Sequence, residues 1–410
     1  MIEGKIIKFY RELKDMKQSV LGYKICSGSH ISKIERGLTE VSKETIELLS
    51  NRLGIDMESE IEAYLSLDKH FIEWHESIIM KQNTKAEDLK KQLENVALLQ
   101  MTEIYRSYTL LLTRYYLLIG EFRLVHSLIK EMDCWSDLTP YEKNMLLHIK
   151  GIDLLYKEQY QMAISLLQEI DLANYNNPEY YYHLAIAYHS LKMPVLAYFY
   201  FDKSLQFFTS TRNFPLMIEV EMLMLIQVEQ DQFFETGYQR LIKISENSGL
   251  KHQRSLLFHN LAYQHLRQGH YEKACEYYKQ SMDSRDPLSK YYLVSLEGYL
   301  NASTKKGFET NKELLLLAEK GISLSKKLKD TTYKHFFQLH IYNLKKEKEK
   351  YYDYLETYAT PYFSKIGNGR LTEYYSIKLF DFHMEKGNNE KVIHYAKSLV
   401  EKLRNNDSLV

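Results

Sequence analysis

Proline and glycine are scarce in this chain, with six prolines and sixteen glycines among 410 residues. Helix interiors tolerate neither residue well, so their scarcity permits helices along most of the chain. The sequence also lacks any uncharged apolar run of about 18 residues, the length that a membrane-spanning helix needs. We therefore expect an almost entirely helical protein with no membrane partner.

Cysteine is rarer still. Cys26, Cys134 and Cys275 are odd in number and far apart, which excludes a disulfide framework and zinc-ligand spacing. His75 and Glu76 have no second histidine at the spacing of a zinc-binding HExxH motif. The N-terminal segment lacks the long apolar run of a signal peptide. We expect a cytoplasmic protein with no metal and no cofactor.

The chain has no excess charge of either sign, because 54 Lys and Arg balance 54 Asp and Glu. A general attraction to nucleic acid is thereby excluded, and any DNA binding requires a local basic patch. Residues 1–43 hold nine Lys or Arg and five Asp or Glu, which gives a local excess of +4. The N-terminal segment is therefore the candidate DNA-facing region.

Two short helical patterns follow an amphipathic helix over residues 3–15. Leu21 and Ile25 share one face of a predicted helix of about eight residues, and Ile31 and Ile34 share one face of the next. Gly28 lies between them, where a sharp turn is needed. Later in the segment, Gly37 and Ser42 are predicted to end one helix and to cap the next.

This stretch resembles the Xre/Cro family of helix-turn-helix domains, whose pattern is approximately T-Q-x-x-L-A, a short gap, and S-x-x-x-I-S-x-I-E-x-G. The residues that match are Gln18, Leu21, Ser27, Ile31, Ser32, Ile34, Glu35 and Gly37. Two positions depart from the pattern, with Lys17 in place of Thr and Gly22 in place of Ala. Lys17 loses a capping hydroxyl but adds a cation near the DNA, and Gly22 preserves a close helix crossing.

The resemblance implies that the second helix, about Ser29 to Arg36, lies in the major groove of double-stranded operator DNA. It assigns base contacts to Ser29, His30 and Lys33, and phosphate contacts to Gln18, Ser27, Ser32 and Arg36. Glu35 is expected to bond within the domain. Single domains of this kind bind weakly, so a homodimer on paired half-sites is expected.

A linker follows the N-terminal module. Residues 57–80 have a helical pattern, and the polar residues 81–88 indicate a break before another helix. The predicted domains are a helix-turn-helix domain at 1–58, linker helices at 59–104, and a repeat domain at 105–405.

The repeat domain is predicted from internal similarity. Segments 112–132, 150–170, 184–205 and 261–282 share a pattern, and the last resembles the tetratricopeptide consensus through Leu261, Ala262, Gly269, Tyr271, Ala274 and Tyr278. A small residue opens the second helix of each pair, at Val125, Ala163, Ala197 and Ala274. About eight helix pairs fit, so the predicted fold is all-α, with a right-handed superhelix of degenerate repeats after the helix-turn-helix domain.

In tetratricopeptide folds the first helix of each pair lines the concave face, where a peptide binds. The predicted peptide-binding residues are His148, Tyr182, His183, His189, Glu221, His259, Asn260, Tyr263 and Arg267. Asn260 is expected to bond a peptide backbone, and Arg267 to pair with a peptide carboxylate. No catalytic motif is present, so we predict no catalytic residues and no enzyme activity.

The combination of an Xre-type domain and degenerate tetratricopeptide repeats resembles the RRNPP group of peptide-sensing regulators of Gram-positive bacteria, which includes the NprR, PlcR, PrgX and Rap types. It implies a homodimeric transcription regulator controlled by a short signalling peptide (quorum sensing). Two alternatives stay open. The repeats and preceding helices could bind and dephosphorylate a response regulator, with Gln92, Glu94 or Gln100 as candidates, or the repeats could serve dimerisation alone.

Overall fold

Helices form all of the regular structure in residues 1–228, 231–307 and 311–407, which are the residues that the computed structural model describes; the side chains of 231–233 and 402–407 lie outside that description. Within these ranges, no helix is both long and apolar enough to cross a membrane. The chain divides into two compact units, Met1–Val228 and Glu229–Val410. The predicted domain bounds are a finer division and stay a prediction.

The first unit begins with four helices packed around a small core. They are α1 (Ile2–Leu13), α2 (Gln18–Leu21), α3 (Gly28–Glu35) and α4 (Lys43–Leu53). The core side chains are fully buried, namely Ile6, Ile7, Leu21, Ile31, Ile34, Leu49 and Leu53. These are the apolar positions that the helical periodicity selects, and Ser42 caps α4 as predicted by accepting from the amide of Thr45.

The helix before the turn is shorter than predicted. It has four residues instead of about eight, because Gly22 ends it and Lys24 adopts a left-handed φ of 57°. Gly28 does not make the turn. It is the first residue of α3, where an added Cβ would lie 3.3 Å from the backbone nitrogen of Ser19. The glycine therefore permits close approach of the two helices instead of a positive φ.

Two linker helices follow, α5 (Met57–Ile79) and α6 (Asn83–Glu94). The first agrees with the predicted helix, but the predicted break over 81–88 is wrong in extent, since the interruption covers only residues 80–82. Ala86, Leu89 and Leu93 are buried and give α6 an apolar face. The prediction began this helix only at Leu89, because Ala86 is small and stands in a polar segment.

Helix pairs make up the rest of the first unit after a 3₁₀ turn at Ala97–Gln100. They are α7 (Thr102–Ile119) with α8 (Phe122–Met132), α9 (Pro140–Tyr156) with α10 (Tyr160–Gln168), and α11 (Tyr180–Ser190) with α12 (Pro194–Ser210), followed by α13 (Phe214–Val228). The predicted small residues Val125, Ala163 and Ala197 are fully buried at the start of the second helices. This confirms the register of the repeats in this unit.

The second unit continues the pattern. Its helices are α14 (Asp231–Asn247), α15 (Lys251–Arg267), α16 (Tyr271–Asp283), α17 (Lys290–Lys306), α18 (Asn311–Lys327), α19 (Thr331–Leu344), α20 (Lys348–Tyr354), α21 (Thr360–Lys365), α22 (Gly369–Glu385) and α23 (Asn389–Asp407). A π-helical turn, Leu355–Ala359, joins α20 to α21 and ends two residues before Pro361. Proline has no N–H to donate to an α-helical hydrogen bond, and the wider turn lies next to the position where that bond is missing.

Candidate functional site

The predicted recognition helix is α3, and the structure presents its polar residues outward. Ser27 caps the helix by accepting a 3.2 Å hydrogen bond from the amide of His30. Ser29, Lys33 and Arg36 are exposed, and His30 is half-buried. Of the remaining predicted DNA contacts, Lys17 and Ser27 are exposed and Gln18 and Ser32 are half-buried.

A buried carboxylate fixes this helix from behind. Glu35 is 7% exposed and accepts hydrogen bonds from the Arg11 guanidinium and, at 2.8 Å, from Nε2 of Gln18. The predicted internal role of Glu35 is therefore confirmed. The bond to Glu35 raises the pKa of Arg11 above its ordinary value. Arg11 is a positioning residue that the sequence analysis missed, because no local pattern links residues 24 positions apart.

Close backbone approach completes the scaffold. An added Cβ at Gly4 would lie 2.1 Å from the carbonyl oxygen of Ile34, so α1 crosses α3 at a distance that only glycine allows. Arg52 of α4 donates to the carbonyl of Leu21 at 2.8 Å and so binds the last residue of α2. Both helices of the helix-turn-helix motif are thus held by residues outside it.

In the first unit, the predicted peptide-binding residues include a side chain that the structure buries completely. His148 is 0% exposed, and its two ring nitrogens contact the Tyr175 hydroxyl at 2.9 Å and Nδ1 of His183 at 2.8 Å. The prediction that His148 contacts a peptide directly is therefore wrong. It lies beneath His183, which is half-buried, and orients that ring.

An ion pair lies near His148, Tyr175 and His183 and forms a polar cluster with them. Arg114 and Glu179 have side chains that are 4% and 9% exposed and are joined at 2.6 Å. The Asn177 side-chain amide donates a hydrogen bond of 3.3 Å to the Glu179 carboxylate. Burial alone would raise the pKa of Glu179, but the Arg114 guanidinium holds it far below its ordinary range.

The three histidines of this cluster stay neutral near pH 7. Desolvation lowers the pKa of His75 to about 4 and that of His183 to about 3, and places the pKa of His148 well below 6.5. His75 belongs to α5, whereas His148 and His183 belong to α9 and α11. The cluster thus joins the long linker helix to two helices of the repeats.

The other predicted residues of this unit are more accessible. Tyr182 is half-buried, with the Lys81 ammonium 5.6 Å from its ring centroid, and Lys81 in turn pairs with Glu219 at 3.0 Å. His189 is half-buried and contacts the Gln227 amide at 2.8 Å. Glu221 is half-buried on α13.

In the second unit, α15 carries the four remaining predicted residues. Tyr263 and Arg267 are exposed, while His259 and Asn260 are half-buried. The His259 ring contacts the Ser295 hydroxyl at 3.1 Å, and burial lowers its pKa to about 4. The Asn260 amide donates to the carbonyl of Leu256 at 3.2 Å.

The described residues contain no group of three or more His, Cys, Asp or Glu side chains placed to hold a metal ion. The candidates for phosphatase chemistry are Gln92, Glu94 and Gln100; all three are exposed, and Glu94 forms a 2.8 Å surface ion pair with Lys90 of its own helix.

Comparison with known proteins agrees with this arrangement. The helix-turn-helix family HTH_3 matches residues 7–59. The transcriptional activator NprA of Geobacillus stearothermophilus is 24% identical, and the match covers 83% of this chain and 88% of NprA.

Solved structures show the same fold. The apo form of the quorum sensor NprR from B. thuringiensis has a TM-score of 0.64 at 18% identity, covering 84% of this chain and 99% of NprR. A Rap protein complexed with competence and sporulation factor has a TM-score of 0.63 at 13% identity, covering 84% of this chain and 99% of Rap. NprR in complex with its cognate peptide NprX has a TM-score of 0.59 at 18% identity, covering 82% and 99%.

The predicted fold class, a helix-turn-helix domain followed by tetratricopeptide-type repeats, is thereby confirmed. The chain therefore combines an N-terminal domain that matches the helix-turn-helix family HTH_3, similarity to the transcriptional activator NprA over most of its length, and the fold that NprR and Rap share.

Proposed function

We propose that the chain is a sequence-specific DNA-binding transcription regulator whose activity is set by a short peptide bound to its repeats. The observation that carries the proposal is the outward presentation of Ser29, Lys33 and Arg36 on a helix held from behind by the buried Glu35. A rigid helix with exposed donors is what readout of base edges in the major groove requires. We propose a regulator and not an enzyme.

The side chains predicted to contact DNA differ in how many of their donors are already used within the protein. Lys33 is exposed and forms no ion pair among the described residues, so it is free to reach a base or phosphate. Gln18 is already bonded to Glu35, so its phosphate contact would come from what remains of its amide. Arg36 donates to the carbonyl of Ser32 at 3.1 Å and keeps its other guanidinium donors available for a phosphate.

A single helix of eight residues covers one half-site. Dimerisation doubles the number of contacts and sets the spacing between half-sites at about one helical turn of DNA. We therefore propose a homodimer on a two-fold operator, acting in the cytoplasm, where the DNA lies.

The test of DNA binding starts with selection of a bound sequence from random double-stranded DNA by the full chain. The double variant His30→Ala/Lys33→Ala is then compared with Lys85→Ala, which removes an exposed lysine of α6 outside the helix-turn-helix domain. We expect the double variant to lose the selected sequence and to keep its helical circular dichroism. Equal affinity of wild type and double variant would refute the assignment of α3.

Peptide control rests on the fold shared with NprR, a protein whose structure is solved with its cognate peptide NprX. The accessible predicted residues of the first unit are Tyr182, His183, His189 and Glu221, and those of the second are His259, Asn260, Tyr263 and Arg267. Calorimetry with synthetic peptides of about five to ten residues measures the affinity of wild type and of Asn260→Ala for a peptide. Equal affinities would exclude a role of Asn260, and no binding by wild type would favour repeats that only mediate dimerisation.

A further inference from the structure

A pocket that the sequence analysis did not find lies wholly within the second unit. It has a volume of about 540 Å³ and is bounded by α17, α19, α20 and α22. Pockets that hold small ligands typically measure about 300–1,000 Å³, so this one fits a few residues of a peptide and not a protein surface.

Aromatic rings make up much of its wall. Phe336, Tyr342, Tyr351, Tyr352, Tyr374 and Tyr375 all line it. Tyr352 is fixed by stacking on Phe382, with ring centroids 3.9 Å apart, and Tyr375 stacks on Phe363 at 5.5 Å. Because neighbouring rings hold Tyr352 and Tyr375, these two rings form a fixed part of the wall against which a flat or branched side chain can pack.

Two amides face the same space from neighbouring helices. Asn301 lies on α17 and Asn343 on α19. Each side-chain amide offers donors and an acceptor, which is the complement of a peptide unit. The acid on this wall, Glu297, is already engaged, because its Oε1 lies 3.0 Å from Nε2 of His340.

The lysines of the pocket differ in whether they form an ion pair with a carboxylate. Lys348 pairs with Glu385 at 2.7 Å. Lys346 and Lys378, in contrast, form no ion pair with a carboxylate anywhere in the described residues. The Lys378 ammonium lies 4.8 Å from the ring centroid of Tyr374.

The Tyr351 and Tyr374 hydroxyls raise the pKa of Lys378 above its ordinary value, although burial alone would lower it. Lys346 sits at the turn between α19 and α20, with a φ of 57°. The pocket therefore carries two lysines, Lys346 and Lys378, that form no ion pair with an acid of the described residues.

We infer that this pocket binds a carboxylate-bearing segment of a short peptide, with the carboxylate on Lys346 and Lys378 and an apolar side chain against the tyrosine wall. The inference rests on the proposed peptide control and names both the position and the chemistry of its ligand. Charge-assisted bonds from lysine to carboxylate are stronger than neutral ones, so an anionic peptide is preferred over its neutral isostere. The carboxylate is either an acidic side chain or the peptide C-terminus.

The experiment uses the full chain and a synthetic heptapeptide library. The library is prepared in halves that carry Asp and Glu or the isosteric Asn and Gln, each as the C-terminal acid and the C-terminal amide. Peptides retained by the protein are sequenced by mass spectrometry, and retained peptides are resynthesised for calorimetry. Four proteins are compared, namely wild type, Lys346→Gln, Lys346→Gln/Lys378→Gln, and the control Lys326→Gln on α18.

We expect wild type and the control to retain peptides enriched in carboxylates, and the double variant to bind them at least about tenfold more weakly. If C-terminally amidated peptides lose their binding, the bound carboxylate is the peptide C-terminus. If the peptides with Asn and Gln lose their binding, it is an acidic side chain. Lys346→Gln lies at an exposed turn and keeps the test valid if the double variant fails to fold.

Two results would overturn the inference and are distinguishable. Retention of the same peptides with equal affinity by wild type and variants would exclude this pocket while leaving peptide control in place. Retention of nothing by wild type, with DNA binding intact, would remove both the pocket and the peptide-control part of the proposed function.

Discussion

Removal of one charge from the buried ion pair of the first unit tests how that unit is held together. Glu179→Gln replaces a carboxylate by a neutral group of the same shape and leaves the Arg114 guanidinium, 4% exposed, without a counter-charge. Breaking a buried pair by removing one partner typically costs about 3–5 kcal/mol, because the remaining charge stays desolvated. We expect the free energy of unfolding to fall by that amount.

Tryptophan fluorescence reports on unfolding of the first unit alone. Both tryptophans, Trp74 and Trp135, lie in the first unit, and Trp74 is fully buried beside His75. At a urea slope of about 3 kcal/mol per molar, a loss of about 3–5 kcal/mol lowers the denaturation midpoint by about 1 to 1.7 M. The matched control is Glu169→Gln, an exposed carboxylate at the end of α10, which should change the midpoint little.

A double variant separates the pair from simple loss of packing. Arg114→Met with Glu179→Gln removes both charges, so that no buried charge is left without a partner. We expect it to recover more than half of the lost stability. If Glu179→Gln moves the midpoint no more than Glu169→Gln does, the burial of an uncompensated Arg114 charge is not what the cluster avoids, and the reasoning is wrong.

Three further predictions concern folding. Acidification from pH 7 to 5.5 should destabilise the first unit by about 1.2 kcal/mol for each of His75 and His183, because the unfolded chain protonates near pH 6.5 while the folded pKa values are about 4 and 3; stability is lost as the pH falls through 6.5, and a urea midpoint that is flat over this range would contradict it. Gly4→Ala should cost about 1–3 kcal/mol, because its Cβ would overlap the Ile34 carbonyl, and faster hydrogen exchange in α1 and α3 is the readout; unchanged exchange would speak against the tight crossing. Thr139→Ala should cost about 0.5–2 kcal/mol by removing the capping box of α9, measured by tryptophan fluorescence, with Thr139→Ser as the variant that retains most of the stability.

Periodicity and motif spacing were sufficient for the buried faces of the helices, but not for the length of α2 or the start of α6. The apolar positions Ile31 and Ile34 and the repeat positions Val125 and Ala163 are buried as predicted, because a residue that recurs at helical spacing must face whatever the helix packs against. The internal role of Glu35 was also predictable, since it matches a family position. Local patterns in a single sequence therefore suffice to predict which of these positions are buried.

Contacts between distant positions were decided only by the tertiary structure. Nothing near Arg11 in the sequence indicates that it reaches Glu35, and nothing near His148 indicates that Tyr175 and His183 cover it. Whether a polar side chain is a surface contact or a buried support depends on what packs over it, and the helical period alone does not supply that.

The sequence by itself determined that this chain is helical, that it begins with a helix-turn-helix motif, and that repeats follow. The tertiary structure decided which polar residues are buried supports and where the second unit has a pocket with two uncompensated lysines, Lys346 and Lys378. The physical reason is range: helix formation and motif spacing act over a few residues, whereas desolvation and charge compensation depend on side chains from helices far apart in the sequence.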